Sequence, residues 1–431
     1  MSSARLPRIL TTSIASLLTA GTALAVDVTV NNQTLIGHSI YEYSPTTQGL
    51  NGWEYGFYNL TADGNATYET NDFQYLSQGG WTNWSISGPP PWTAILDATQ
   101  GHPNGTNSTP GQEMWAIRRY TVQPGEGGSI DVNWFLRKAG AGDTGTAAEV
   151  FVNGLSQDTG SVGGADTTGF IKKKTVTANA GDKIDIVLKP NGVDFSDGSH
   201  FGMVLQKNQI ANYTGLTLRA DSALEFSGVQ GQDGWRYGYY NISVNGQPDA
   251  GGTDFVEFPG TFWNGSLWNW TPGGDPPWTE ITNVGGHPNG TNQAPPNGDE
   301  HWATRRYVVQ PGEAGDLLIE WSLAKSNPNG DGTTVRIFRN GVQIDASAVE
   351  GADTTGLHRG VLVNGAQVGD VIDIALSPQG AQNFYGLGGA LADDGADGSL
   401  FGAKVYSVPE PGAVGMLLAA GAWLVGRRRR S

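Results

Sequence analysis

One block of roughly 185 residues occurs twice in this chain of 431 residues, and that duplication limits the fold more than any other feature. Gly52-Trp53-Glu54-Tyr55-Gly56-Phe57-Tyr58-Asn59 is answered by Gly234-Trp235-Arg236-Tyr237-Gly238-Tyr239-Tyr240-Asn241. Pro90-Pro91-Trp92-Thr93 is answered by Pro276-Pro277-Trp278-Thr279, and Gly101-His102-Pro103-Asn104-Gly105-Thr106-Asn107 recurs unchanged at 286–292. Trp115-Ala116-Ile117-Arg118-Arg119-Tyr120 is matched by Trp302-Ala303-Thr304-Arg305-Arg306-Tyr307. The period exceeds the 20–50 residues of a solenoid repeat, so each copy is a domain rather than a stacked unit. Within each copy, alternating runs such as Ser129-Ile130-Asp131-Val132-Asn133-Trp134 and Lys183-Ile184-Asp185-Ile186 recur between Gly, Asn and Pro turns. Alternation at period two places one face of a strand in a core. An all-β chain of two tandem β-sandwiches is predicted, over 26–206 and 207–407, with the junction in the polar stretch 207–215. A Gly/Ala-rich insertion, 380–389, lengthens the second copy.

The two ends read as targeting segments. Arg5 and Arg8 precede an apolar run to Leu24, and Ala23-Leu24-Ala25 supplies a small-x-small cleavage site. Residues 1–25 are therefore expected to be a secretory signal peptide, not part of the fold. Residues 408–431 hold Pro409-Glu410-Pro411, an apolar run from Ala413 to Val425, and Arg427, Arg428, Arg429 and Arg430. The apolar segment would reach about 22 Å as a helix, short of a hydrocarbon core of about 30 Å, with the arginines holding its end in the cytoplasm. This order of motif, apolar helix and basic cluster resembles the PEP-CTERM sorting signal of Gram-negative bacteria. The resemblance implies an exosortase-type processing protease as partner, transient insertion in the inner membrane, and a final place at the cell surface, the outer membrane or an extracellular matrix.

Charge and cysteine content narrow the function. The chain carries −16; taking away +2 in the signal peptide and +3 in 408–431 leaves the exported body at −21. Such acidity opposes nucleic acid and anionic headgroups. With no cysteine, disulfides and thiolate metal sites are excluded, and stability rests on burial. No G-x-S-x-G, phosphate-cradling loop or H-E-x-x-H motif is present, so neither the usual hydrolase signatures nor zinc is indicated.

Candidate binding residues are aromatic and lie in loops. Trp81, Trp84 and Trp92 in the first copy, and Trp263, Trp268, Trp270 and Trp278 in the second, stand among Gly and Pro. Flat indoles on loops above a rigid sandwich suit stacking on sugar C–H faces, and the same residue type also serves cores. Trp115, Trp134, Trp302 and Trp321 lie in strand-like runs and are expected inside. His102 and Asn104, with His287 and Asn289, offer hydrogen bonds to hydroxyls; the same Gly-His-Pro-Asn-Gly sequence also makes a rigid turn closed by a local histidine bond. One arginine of each Arg-Arg pair is expected to point inward and to find a carboxylate, with Glu113, Glu300 and Asp299 as candidates. Asp194 and Asp197, with Asp394 and Asp397, lie in tight turns that suit a structural Ca²⁺ in each domain, although Asp-Gly is a common turn dipeptide.

The pattern G-W-x-Y-G-[FY]-Y, G-H-P-N-G, W-A-x-R-R-Y, N-G and D-G-S, spanning nearly all of each copy, resembles jelly-roll domains of the galactose-binding-like and carbohydrate-binding type. That resemblance implies binding of carbohydrate or exopolysaccharide without catalysis. A self-assembling structural matrix protein is the alternative, and a polysaccharide hydrolase or lyase is the third reading. Duplication favours binding, because two linked copies gain through effective concentration.

Overall fold

The structure, a computed structural model, describes residues 25–79, 83–86, 90–142, 144–191, 196–246, 248–249, 252–270, 277–292, 298–386 and 396–409. Residues 1–24 of the signal peptide and nearly all of the tail, with Glu410, Pro411 and the four arginines, lie outside these residues. Among those described, no helix is long and apolar enough to cross a membrane.

Each copy is a β-sandwich of antiparallel strands. In the first, a six-stranded sheet runs Leu155–Val162, Thr146–Val152, Lys183–Pro190, Met114–Thr121, Trp53–Asn59 and Gln74–Tyr75. Its inner face packs on Gly128–Lys138 and Ser199–Asp221 of the opposing sheet, burying Trp53, Tyr55, Ile130, Trp134, Ile184, Ile186 and Met203 in one core. The second copy repeats this around Trp235, Tyr237, Leu317, Ile319, Trp321, Ile372 and Ile374. Four core indoles have a carboxylate for their N–H: Trp53 donates to Glu42 and Trp235 to Glu225 at 2.8 and 2.9 Å. Trp134 and Trp321 likewise donate to Asp158 and Asp345 at 3.0 and 2.9 Å. A buried indole N–H needs such an acceptor, and this explains how sandwiches so rich in tryptophan remain satisfied.

The polar stretch 207–215, where the sequence puts the junction, is strand throughout. Ser199–Asp221 is a single strand of 23 residues. Its first part pairs with Gly128–Lys138, and its last residues, 217–221, pair with 404–407 of the second copy. The N-terminal strand Val26–His38 lies antiparallel along its middle, from Val26 opposite Leu216 to His38 opposite Val204. Main-chain pairing therefore carries one sheet through both sandwiches, and the residues there are polar because much of that strand faces solvent.

Side chains lock the copies together as well. The second copy's insertion places buried Ala381 and Tyr385 on Phe135 and Val204 of the first. Tyr385 donates its hydroxyl to Gln206 at 3.0 Å, while its carbonyl accepts from His38 Nε2 at 2.5 Å. Arg359 reaches Gln33 at 3.2 Å, and the Gly360 N–H donates to Asn32 at 2.9 Å. A Cβ on Gly360 would stand 3.1 Å from the Val30 methyls, closer than ordinary contact, so the missing side chain eases the approach of the copies here.

Candidate functional site

The Gly-His-Pro-Asn-Gly turn builds the same small device in each copy. Asn104 is fully buried. Its side-chain oxygen accepts from Trp92 N–H at 3.0 Å, and its amide donates to the carbonyls of Gly105 and Gln112 at 3.1 and 2.7 Å. Asn289 does the same for Trp278 N–H at 2.8 Å, donating to Gly290 and Asp299 at 3.2 and 2.7 Å. A side chain held by three bonds fixes the backbone of the residue it caps. His102 and His287 close the turn locally, with Nδ1 at 2.5 and 2.6 Å from the carbonyls of Pro103 and Pro288. Burial pushes His287 down to about 4, so it is neutral at neutral pH. The imidazoles lie near the indoles, at ring separations of 6.4 Å for Trp92 and 5.8 Å for Trp278.

The indoles so held are open to solvent: Trp92 is 51 % exposed and Trp278 39 %. Exposure of a ring this large at equivalent places in both copies is unlike a core residue. Trp92 also borders a groove of about 610 Å³ lined by Ser77, Gln78, Asn83, Ser85 and Thr93. A flat apolar ring beside amides and hydroxyls can stack on a sugar face while hydrogen-bonding its edge.

Of the other expected site residues, Trp84 and Trp268 are buried, whereas Trp263 and Trp270 are half-buried. Trp84 and Trp268 are 4 % and 0 % exposed, and each caps its own core while donating its indole N–H to the carbonyl of Ser44 or Ser227 at 2.8 or 3.0 Å. Trp263 packs against Phe226 and Trp268. Trp270 packs edge-on to Tyr239 with centroids 4.6 Å apart. Asn104 and Asn289, whose amides are taken up by main-chain bonds, support the tryptophans. Trp81, Asp194 and Asp394 lie outside the described residues.

Asp197 and Asp397 are both buried, facing the equally buried ammonium groups of Lys138 and Lys325 at 3.5 and 3.7 Å, so a lysine supplies the positive charge at each turn. Among the described residues no group of three or more histidines and carboxylates is placed to hold a metal.

The Arg-Arg pairs also find other partners than expected. Arg119 and Arg306 make bidentate pairs with Asp185 and Asp373, from 2.7 to 2.9 Å. Tyr68 and Tyr240 donate to the same carboxylates at 2.6 Å. Arg118 and Arg305 point inward and, among the described residues, bond to main-chain carbonyls, stacked on Phe201 and Phe401 at 4.9 and 4.8 Å. Burial pushes Arg305 down to about 10. Glu113 and Glu300 instead accept the indole N–H groups of Trp115 and Trp302 at 2.7 Å.

No family model matches the chain, and no curated protein matches it significantly. Among solved structures, it is similar to the tandem CBM51 modules of a family 98 glycoside hydrolase from Streptococcus pneumoniae: 13 % identity over 80 % of this chain and 88 % of that one, TM-score 0.21. The tandem CBM22 domains of a Paenibacillus barcinonensis protein match at 9 % identity over 88 % of this chain and 98 % of that one, TM-score 0.20. An anti-sigma factor domain-containing protein matches at 12 % identity over 77 % and 91 %, TM-score 0.18. Scores this low establish no common global structure, and the chemistry is read from this chain's own residues.

Proposed function

We propose that this protein is an exported, non-enzymatic surface or matrix protein that holds carbohydrate on Trp92 and Trp278. The observation that carries the reading is the repeated device: a solvent-open indole whose backbone is clamped by a buried asparagine, built twice. Clamping keeps the ring in its binding pose and reduces the entropy lost on association. The described lining of the Trp92 groove is amide, hydroxyl and apolar, which favours recognition over proton transfer. The acidic body, at −21, keeps such a protein off anionic membranes and directs it to neutral glycans. The resemblance of residues 408–431 to an exosortase-read signal, together with the signal peptide, supports delivery to the surface of a Gram-negative cell. Affinity electrophoresis of the protein through gels containing the producing organism's exopolysaccharide tests the binding reading. Retardation is expected; migration unchanged by every polysaccharide tried overturns it. Deleting 409–431 is expected to shift the protein from the surface fraction to another compartment.

One observation favours self-assembly as a second reading. Leu155–Val162 and Val342–Val349 are edge strands of the two six-stranded sheets, and each begins on an exposed aliphatic, Leu155 and Val342. Unpaired edges of this kind accept another strand. Light scattering that rises with protein concentration without glycan supports it.

A further inference from the structure

We propose that the two copies are unlike sites: the first takes a neutral sugar unit edge-on into the groove beside Trp92, whereas the second, among the described residues, presents chiefly the flat ring of Trp278. This deepens the carbohydrate reading and rests on it. The duplication supplies the comparison. In the first copy, Thr93 is fully buried at the groove, and its hydroxyl has no hydrogen-bond partner among the described residues. The amide oxygen of Asn83, in the same lining, is also buried and without a partner there. A buried hydroxyl and a buried carbonyl left unbonded are costly, and two in one wall of a groove mark a place completed by a ligand.

The second copy has removed each of these features. The counterpart of Thr93 is Thr279, whose hydroxyl bonds His301 Nδ1 at 2.8 Å; the first copy has Met114 at the histidine's position. The counterpart of Asn83 is Leu267, and those of Ser77 and Gln78 are Pro259 and Gly260. Ile86 is replaced by Trp270, whose ring packs against Tyr239, His301 and Phe262 at 4.6, 5.3 and 5.4 Å. Polar groups are thus free where the groove is open and absent or satisfied where an indole takes their place. The described groove residues are uncharged, so the unit it takes is neutral, with adjacent hydroxyls, one donating to Asn83 and one sharing the Thr93 hydroxyl.

Binding of the full chain to immobilised dextran, laminarin and galactomannan tests this, with Thr93→Val, Ile86→Trp, Trp92→Ala and Trp278→Ala compared with wild type. Thr93→Val keeps the shape and removes only the hydroxyl, so its melting temperature is expected to equal or exceed that of wild type while affinity falls about tenfold. Ile86→Trp, which copies the second site into the first, is expected to weaken binding as much as Trp92→Ala. Trp278→Ala is expected to weaken it less. If Thr93→Val and Ile86→Trp bind like wild type, or if Trp278→Ala costs as much as Trp92→Ala, the asymmetry is wrong while carbohydrate binding stands. Wild type that binds none of the three, nor the producing organism's exopolysaccharide, overturns both.

Discussion

Replacing Glu350 with Gln should stabilise the protein above neutral pH and leave it nearly unchanged in acid. Glu350 lies in a cleft of about 290 Å³ between the copies, with Gln33, Lys173, Asp353 and Tyr385. Its counterpart in the first copy is Gly163, so this carboxyl belongs to the junction and not to the repeat. Burial raises it from 4.5 to about 7; the Lys173 ammonium lowers it and Asp353 raises it further. A carboxyl raised on folding leaves stability intact below about 4.5, where both states are protonated. Stability is then lost as pH rises through about 7, because the unfolded chain ionises first. At about 1.4 kcal/mol per tenfold change in proton affinity, the full shift corresponds to about 3–4 kcal/mol. Solvent reaching this half-buried side chain screens part of it, and about 1–2 kcal/mol is expected. Urea unfolding of both proteins at pH 4.5, 6, 7 and 8 measures the difference. The gap should be near zero at the lowest pH and widen with pH to its full value by pH 8. A gap that is constant with pH, or that favours wild type at pH 8, would refute the reasoning.

Two further substitutions test the frame around the site. Asn104→Ala removes three buried hydrogen bonds from the turn that holds Trp92, so a loss of about 2–4 kcal/mol is expected in urea unfolding. Glycan affinity should fall too, although Asn104 touches no ligand; unchanged affinity would mean that the clamp is irrelevant to binding. Asp185→Asn leaves the Arg119 guanidinium without its carboxylate, and a loss of about 3–5 kcal/mol is expected. Asp373→Asn should cost a similar amount, and a loss under about 1 kcal/mol at either site would show that solvent already relieves the charge.

Much of the architecture was legible because alternation and duplication are local signals. Trp134 and Trp321 sit in alternating runs, and both are core. The sorting of the loop tryptophans was not legible. Trp84 and Trp268 lie on strands of only two residues between Gly and Pro, too short for a period to show, and their burial depends on loops folding over them. Trp92 and Trp278 differ from them by standing beside a Pro-Pro pair and opposite the buried asparagine. The arginine partners were missed because pairing follows register: Arg119 lies directly opposite Asp185 on the neighbouring strand, and Arg306 opposite Asp373. A signal was present, since Ile-Asp-Ile recurs in both copies at 184–186 and 372–374, each with an acid inside an otherwise apolar run. The role of 380–389 was invisible, because only the fold brings Tyr385 against His38 and Gln206 of the first copy.

The most direct measurement is the dissociation constant of wild type and of the Trp92→Ala/Trp278→Ala double variant for one retained polysaccharide, by titration calorimetry, with melting temperatures confirming that both are folded. Loss of two stacked indoles is expected to weaken binding at least tenfold, because aromatic contacts dominate such interfaces, while melting changes by no more than a few degrees since both rings face solvent. Equal affinity in the two proteins would contradict the account and leave the exposed rings without a role in carbohydrate recognition.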